Sequence, residues 1–331
     1  MYSEVWMDIC NKCNAKCKYC LTGSANRYGR SKDIPAYFMP AAEFKRLAEH
    51  MKNSKIITPD CIFRVYNWYE PMLNPELPEI INYIEGTDFR IDISTNASIL
   101  PDFSRIGSCK NLFSILFSMC GFSQKSYDYI HKLDFETVKK NIRIIMKEIR
   151  DRGFTGDAYI NYHLYQFNMT EVYDAQAFAD EVGIRLHVIC AYFNGGCDEN
   201  GISDHKAWHD GTMSPARMRD VAKDLLLGYV DQMWVNGEGH TEVIAEPWSI
   251  TLSEHCNLLA NRGVNDDNHM ENIFDLHSYE EVKAVYDRIG AKQVQTNYCY
   301  PRNALFGLKN KYRTEEDYVY PKVQFTRDYT G

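Results

Sequence analysis

The chain has 331 residues, with 37 Lys and Arg against 45 Asp and Glu, a formal net charge of −8. That length accommodates one large α/β domain, or one domain with a smaller appendage, and an ample core. The acidic balance, without a Lys/Arg run long enough to neutralise a phosphate backbone, excludes a dedicated nucleic-acid binder. No basic region precedes an apolar run at the N-terminus, so a cytoplasmic enzyme with no membrane partner is expected.

Runs of β-branched and aromatic residues predict strands over 3–9, 61–68, 90–95, 113–119, 158–164 and 185–191. Amphipathic patterning between them predicts helices over 41–52, 76–85, 135–152 and 171–182. Pro40 suits the first turn of the first helix, and Gly183 the C-cap of the last. Six strand–helix units imply a parallel sheet with right-handed crossovers, whose ligands gather at the carboxyl ends of the strands. Beyond about residue 192 the pattern breaks. A Gly-rich turn at 194–201, a helix near 215–228, a hairpin over 240–253 and a last helix near 278–290 predict a smaller second unit over the sheet's mouth. The expected division is therefore 1–195 and 196–331.

Four of the eleven cysteines, Cys10, Cys13, Cys17 and Cys20, fall within eleven residues directly after the first strand. A reducing cytosol disfavours disulfides. Zinc is compatible with two close pairs, although the short gap between them leaves little chain to wrap a tetrahedral ion. An iron–sulfur reading explains more: C-x3-C-x2-C supplies three thiolates to a cubic 4Fe–4S cluster and leaves one iron open to a small molecule. Cys10 then ends an apolar strand as a buried thiol. Cys61, Cys109, Cys120 and Cys190 read as small buried hydrophobes.

The run 7-MDICNKCNAKCKYC-20 resembles the signature loop of the radical S-adenosylmethionine (radical SAM) superfamily. That resemblance, carried over residues 5–192, implies a partial (βα)6 TIM-like barrel with a small α+β C-terminal cap. Cys13, Cys17 and Cys20 would ligate the cluster. The turn 67-NWYEPMLNPEL-77 is similar to the family's GGEP turn, so Glu70 would hold the amino group of S-adenosylmethionine (SAM), with the backbone of 67–69 beside it. Trp68 and Tyr69 replace the two glycines, which weakens the expectation of close backbone approach. By the same resemblance Ser94 and Asn96 would lie near the ribose or carboxylate, Ser118 would complete the fourth strand end, and Gln166 and the backbone at Ala191 would meet cofactor or adenine. Tyr19 would stack on adenine.

The family's chemistry is reductive cleavage of SAM to a 5′-deoxyadenosyl radical, fed by a flavodoxin- or ferredoxin-type electron donor. Further on, 250-ITLSEHC-256, 270-MENIFDL-276 and 299-CYPR-302 resemble a degenerate SPASM or twitch domain. Either Cys197, Cys256 and Cys299 hold an auxiliary iron–sulfur cluster, or one thiol, Cys256 or Cys197, faces the substrate and donates a hydrogen atom. The first suits dehydrogenation and the second epimerisation. The phrases 163-HLYQFN-168 and 191-AYFNGG-196 are reminiscent of members acting on saccharides, so a small sugar or aminocyclitol is expected. Epimerisation or cross-linking of a ribosomally made peptide is the alternative. A non-catalytic iron–sulfur protein is the reading from another class.

Overall fold

The computed structural model describes residues 1–191, 212, 214, 216–217, 220, 223–225, 242–244, 249–259, 269–288 and 294–296. The chain alternates β1 (Tyr2–Met7), α1 (Leu21–Arg27), α2 (Ala41–Asn53), β2 (Ile57–Arg64), α3 (Leu77–Glu85) and β3 (Arg90–Thr95). It continues through β4 (Leu112–Met119), α4 (Gln124–Tyr129), α5 (Phe135–Asp151), β5 (Asp157–Leu164), α6 (Val172–Val182) and β6 (Arg185–Cys190). Beyond these lie β7 (Glu242–Ile244), β8 (Ser249–Leu252), β9 (Asn257–Leu259), β10 (His269–Asn272), α7 (Tyr279–Arg288) and β11 (Val294–Thr296).

The helices follow their sequence signals. In α5, Phe135, Val138, Ile142, Ile145, Met146 and Ile149 recur at helical spacing and are buried, while the Asp134 side chain caps the first turn by accepting from Thr137 N–H. Gly183 ends α6 at φ +69°, a conformation that favours glycine. One strand departs from expectation. β2 starts at Ile57, because Pro59 and Asp60 sit exposed in a register shift between the Tyr2–Ile57 and Glu4–Ile62 pairs. A bulge is where a strand tolerates proline.

Strands β1–β6 pair in parallel, in chain order, within a nine-stranded sheet of order β10-β9-β8-β1-β2-β3-β4-β5-β6. The predicted hairpin over 240–253 does not form among the described residues. Instead β8 lies parallel to β1 (Glu4 opposite Ser249, Met7 opposite Leu252), and β7 pairs antiparallel with β11. Strands β8–β10 thus extend the sheet beside its first strand, antiparallel to one another.

Register sorts the two faces. Val5, Phe63, Ile91 and their neighbours Ile93, Ile115, Phe117, Ile160 and Leu186 join the buried core beneath the helices. The adjacent row, Trp6–Arg64–Asp92–Ser114, is polar. Arg64 donates to both oxygens of Glu4, each at 2.9 Å, and to Asp92, and lies over the Trp6 ring. Asp92 also accepts from Tyr66 at 2.9 Å and Ser114 at 2.5 Å. This ion network fills the inner face between β1 and β4. Among the described residues no helix is long and apolar enough to cross a membrane.

Candidate active site

The loop that leaves β1 is fixed by its own backbone. Asn26 of α1 donates to the carbonyls of Cys13 (2.7 Å) and Ala15 (2.8 Å). Lys16 and Lys18 donate backbone N–H bonds to the carbonyls of His131 and Ile130, and the Arg27 guanidinium ties Lys16, Tyr129 and Ile130 together. At Gly23, α1 presses on the loop so closely that a Cβ would lie 2.4 Å from Cys17 N. No side chain fits there.

On this loop Cys13, Cys17 and Cys20 are half-buried as residues, while Cys10 is buried. Burial pushes the Cys13 and Cys17 thiols well up, helped by Glu70 at Cys13 and by repulsion from the neighbouring thiols; burial raises Cys20 as well. Three thiolates side by side need a positive centre, which iron supplies. Among the described residues no three His, Cys, Asp or Glu side chains converge on one point to hold a single ion. A cubic cluster takes each thiolate at a different corner, so the three residues fit that group. Cys10 donates instead to the Glu70 carbonyl at 3.3 Å, and burial pushes its thiol up to about 12.

Two buried carboxylates hold the turn opposite. Glu70 accepts from Thr95 Oγ1 (2.7 Å), Asn96 N–H (2.8 Å) and Met72 N–H (3.1 Å), which occupies three of its roughly four acceptor sites. Asp8, which sequence reasoning missed, accepts N–H bonds from Asn67 (2.8 Å), Trp68 (3.1 Å) and Tyr69 (3.1 Å). Burial pushes each carboxyl up to about 7 against the pull of these bonds. Residues 67–70 are all absent from the positive-φ positions, so the turn does not require the glycines that Trp68 and Tyr69 replace. The one hint of Asp8 in the sequence is an acid inside an apolar strand.

Asn96 reaches the same place. Its Nδ2 donates to Asn14 Oδ1 at 3.0 Å and lies 4.0 Å from Cys13 Sγ. Ser94 and Ser118 face each other at 3.4 Å on adjacent strands, and the register continues the row through Asn161 to His187. His131, on the loop after α4, was also missed. Its Nδ1 lies 2.9 Å from Cys17 Sγ, and burial lowers its pKa to about 3, so the ring is neutral.

Tyr19 and Gln166 belong to a second group. The Tyr19 hydroxyl donates to Asp224, which also takes Lys18 Nζ at 2.7 Å and Tyr129 Oη at 2.8 Å. Gln166 donates its backbone N–H to the Asp224 carbonyl at 2.9 Å and its side chain to the Leu225 carbonyl. The Tyr19 ring stacks on Tyr165. Ala191 is buried and donates to the Leu164 carbonyl at 2.8 Å. Cys256 sits at φ +62° in the β8–β9 turn, fully buried in the core, and burial pushes its thiol up to about 12. Cys197 and Cys299 lie outside the described residues.

The model of the radical SAM superfamily matches residues 7–168. Residues 7–168 form a radical SAM domain. That domain implies a 4Fe–4S cluster and SAM as cofactors, and supports an enzyme. Among solved structures the chain is similar to SuiB of Streptococcus suis bound to SAM (TM-score 0.58, 13% identity, 91% of this chain and 70% of that one). It is also similar to anSMEcpe with bound SAM (TM-score 0.55, 13% identity, 92% of this chain and 96% of that one). Identities this low show the partial-barrel fold. No curated protein sequence matches.

Proposed function

We propose that this radical SAM enzyme abstracts a hydrogen atom from a C–H bond of a peptide, with Cys13, Cys17 and Cys20 as its cluster ligands. The observation that carries the reading is the juxtaposition of that thiol loop with Glu70 and Asn96 at neighbouring strand ends. When bound, the cluster and SAM together supply the 5′-deoxyadenosyl radical. Glu70 keeps one acceptor site for an N–H of the SAM amino group, with Asp8 holding the adjoining backbone in place. Ser94 and Ser118 offer hydroxyls to the ribose or carboxylate. Tyr19, Gln166 and the backbone at Ala191 serve the adenine side once Asp224 and Leu225 release the first two.

Peptide is preferred over sugar for two reasons. The similar structures include SuiB bound to precursor peptide SuiA and anSMEcpe bound to Cp18Cys peptide. The phrase behind the sugar expectation also serves the fold, because Asn168 ties down Tyr165 N–H and the carbonyls of Cys120 and His163. The buried thiol of Cys256 argues against its handing a hydrogen atom to substrate.

The test is anaerobic reconstitution, then SAM, dithionite and peptides encoded beside the gene, in deuterated water. Formation of 5′-deoxyadenosine with one deuterium entering the peptide marks epimerisation; loss of two hydrogens marks oxidation. No 5′-deoxyadenosine refutes the radical reading, and an unchanged peptide refutes the substrate. About four irons per chain would exclude an auxiliary cluster at Cys197, Cys256 and Cys299.

A further inference from the structure

We infer that His131 donates a hydrogen bond from Nδ1 to the sulfur of Cys17 and thereby raises the reduction potential of the cluster, an inference that rests on Cys17 being a ligand. The contact is 2.9 Å, between residues 114 apart in sequence. The imidazole is held there from several sides. Its backbone N–H donates to the Tyr127 carbonyl at 2.9 Å, its own carbonyl accepts from Lys16 N–H at 2.9 Å, and its ring lies against Tyr127 at 5.2 Å. The Lys16 bond belongs to the loop that carries Cys17, so ring and sulfur are fixed to each other by the same backbone.

The tautomer follows from bookkeeping of donors. An iron-bound thiolate has no proton to give, so the imidazole must be the donor in this pair. A ring with two N–H groups donates from Nδ1 in any case, and a ring with one must place it on Nε2 or on Nδ1. Placed on Nε2, it would be a buried, unpaired donor, because that atom has no hydrogen-bond partner among the described residues. The bare Nδ1 would then oppose the sulfur lone pairs. Placed on Nδ1, it meets the sulfur and leaves only an acceptor unpaired, the cheaper defect.

A donor on a ligand sulfur draws charge from it and so favours the reduced cluster, which carries one more electron. His131 is therefore a positioning residue acting through Cys17. Removal is expected to shift the reduction equilibrium about tenfold, which for a one-electron couple is about 59 mV toward more negative potential.

The experiment is an EPR-monitored redox titration of reconstituted wild type, His131→Leu and His131→Asn, with iron and SAM cleavage measured on each preparation. Leucine removes the donor, whereas asparagine places an amide N–H near the position of Nδ1. The negative shift is expected in H131L and its recovery in H131N. An H131L potential equal to wild type, or an H131N potential shifted as far as H131L, overturns the inference while leaving the cluster reading intact. A wild type that binds no iron removes both. Should the variants lose the cluster, pulsed EPR of wild type carrying 15N-histidine decides: a nitrogen coupling at the reduced cluster supports the bond, and its absence refutes it.

Discussion

Asp8 offers the sharpest perturbation of the turn proposed to bind SAM. Its carboxylate takes three consecutive backbone N–H groups, those of Asn67, Trp68 and Tyr69, at 2.8, 3.1 and 3.1 Å through Oδ1, with a further 3.2 Å contact from Trp68 to Oδ2. Those three residues are half-buried, so their N–H groups reach some water once released. At about 1 kcal/mol net for each bond, Asp8→Ala removes about 3 kcal/mol of bias toward the observed turn. If half of that is realised in binding, SAM affinity falls about tenfold. Asp8→Asn keeps Oδ1 and loses only the Oδ2 contact, so its affinity should stay within about threefold of wild type. Anaerobic equilibrium dialysis with labelled SAM, on preparations matched for iron, measures both. An Asp8→Ala protein that binds SAM like wild type would refute the reasoning.

Three further outcomes are expected. Gly23→Ala drives a methyl into the Cys17 backbone, and iron retained after desalting should drop several-fold; full retention would contradict the close packing of α1 on the loop. Arg64→Met leaves Glu4 and Asp92 buried without their shared cation, a loss of about 3–5 kcal/mol, which differential scanning calorimetry should read as a Tm lower by roughly 10 °C. Burial raises the Glu70 pKa to about 7, so the folded chain holds that proton more tightly than the unfolded one. Its stabilising effect is present below the ordinary carboxylate range and is lost as pH rises through about 7. Relative to Glu70→Gln, the wild-type urea midpoint should therefore fall between pH 5 and pH 8, and parallel midpoints would contradict the shift.

The parallel sheet was legible because its strands are continuous apolar runs, each marked off by an amphipathic helix. β3 falls on its predicted bounds, and β1, β4, β5 and β6 lie close to theirs. β2 was misread at its start because Pro59 looks like punctuation until the bulge that houses it is seen. The helices α1 and α4 span seven and six residues, too short for a periodic signal. The thiol loop could be read because its ligand spacing is local. Asp8, His131 and Asp224 could not, since each acts on residues far away in sequence: Asp8 on 67–69, His131 on Cys17, Asp224 on Tyr19. At Trp68 and Tyr69, which replace glycines, the backbone shows no positive φ.

The pairing of β1 with β8 has a consequence for synthesis. Residue 4 pairs with residue 249, so β1 waits for the synthesis of β8 before its second edge is covered. At about 5–20 residues per second that wait lasts roughly 12–50 s. Throughout it, the edge beside the cysteine loop is an unpaired row of N–H and C=O groups, the kind that recruits other strands. The footing of the loop is complete only once β8 has been made. Iron loading into a finished loop would accordingly follow the synthesis of β8, and until then the nascent chain is exposed to misassociation along β1.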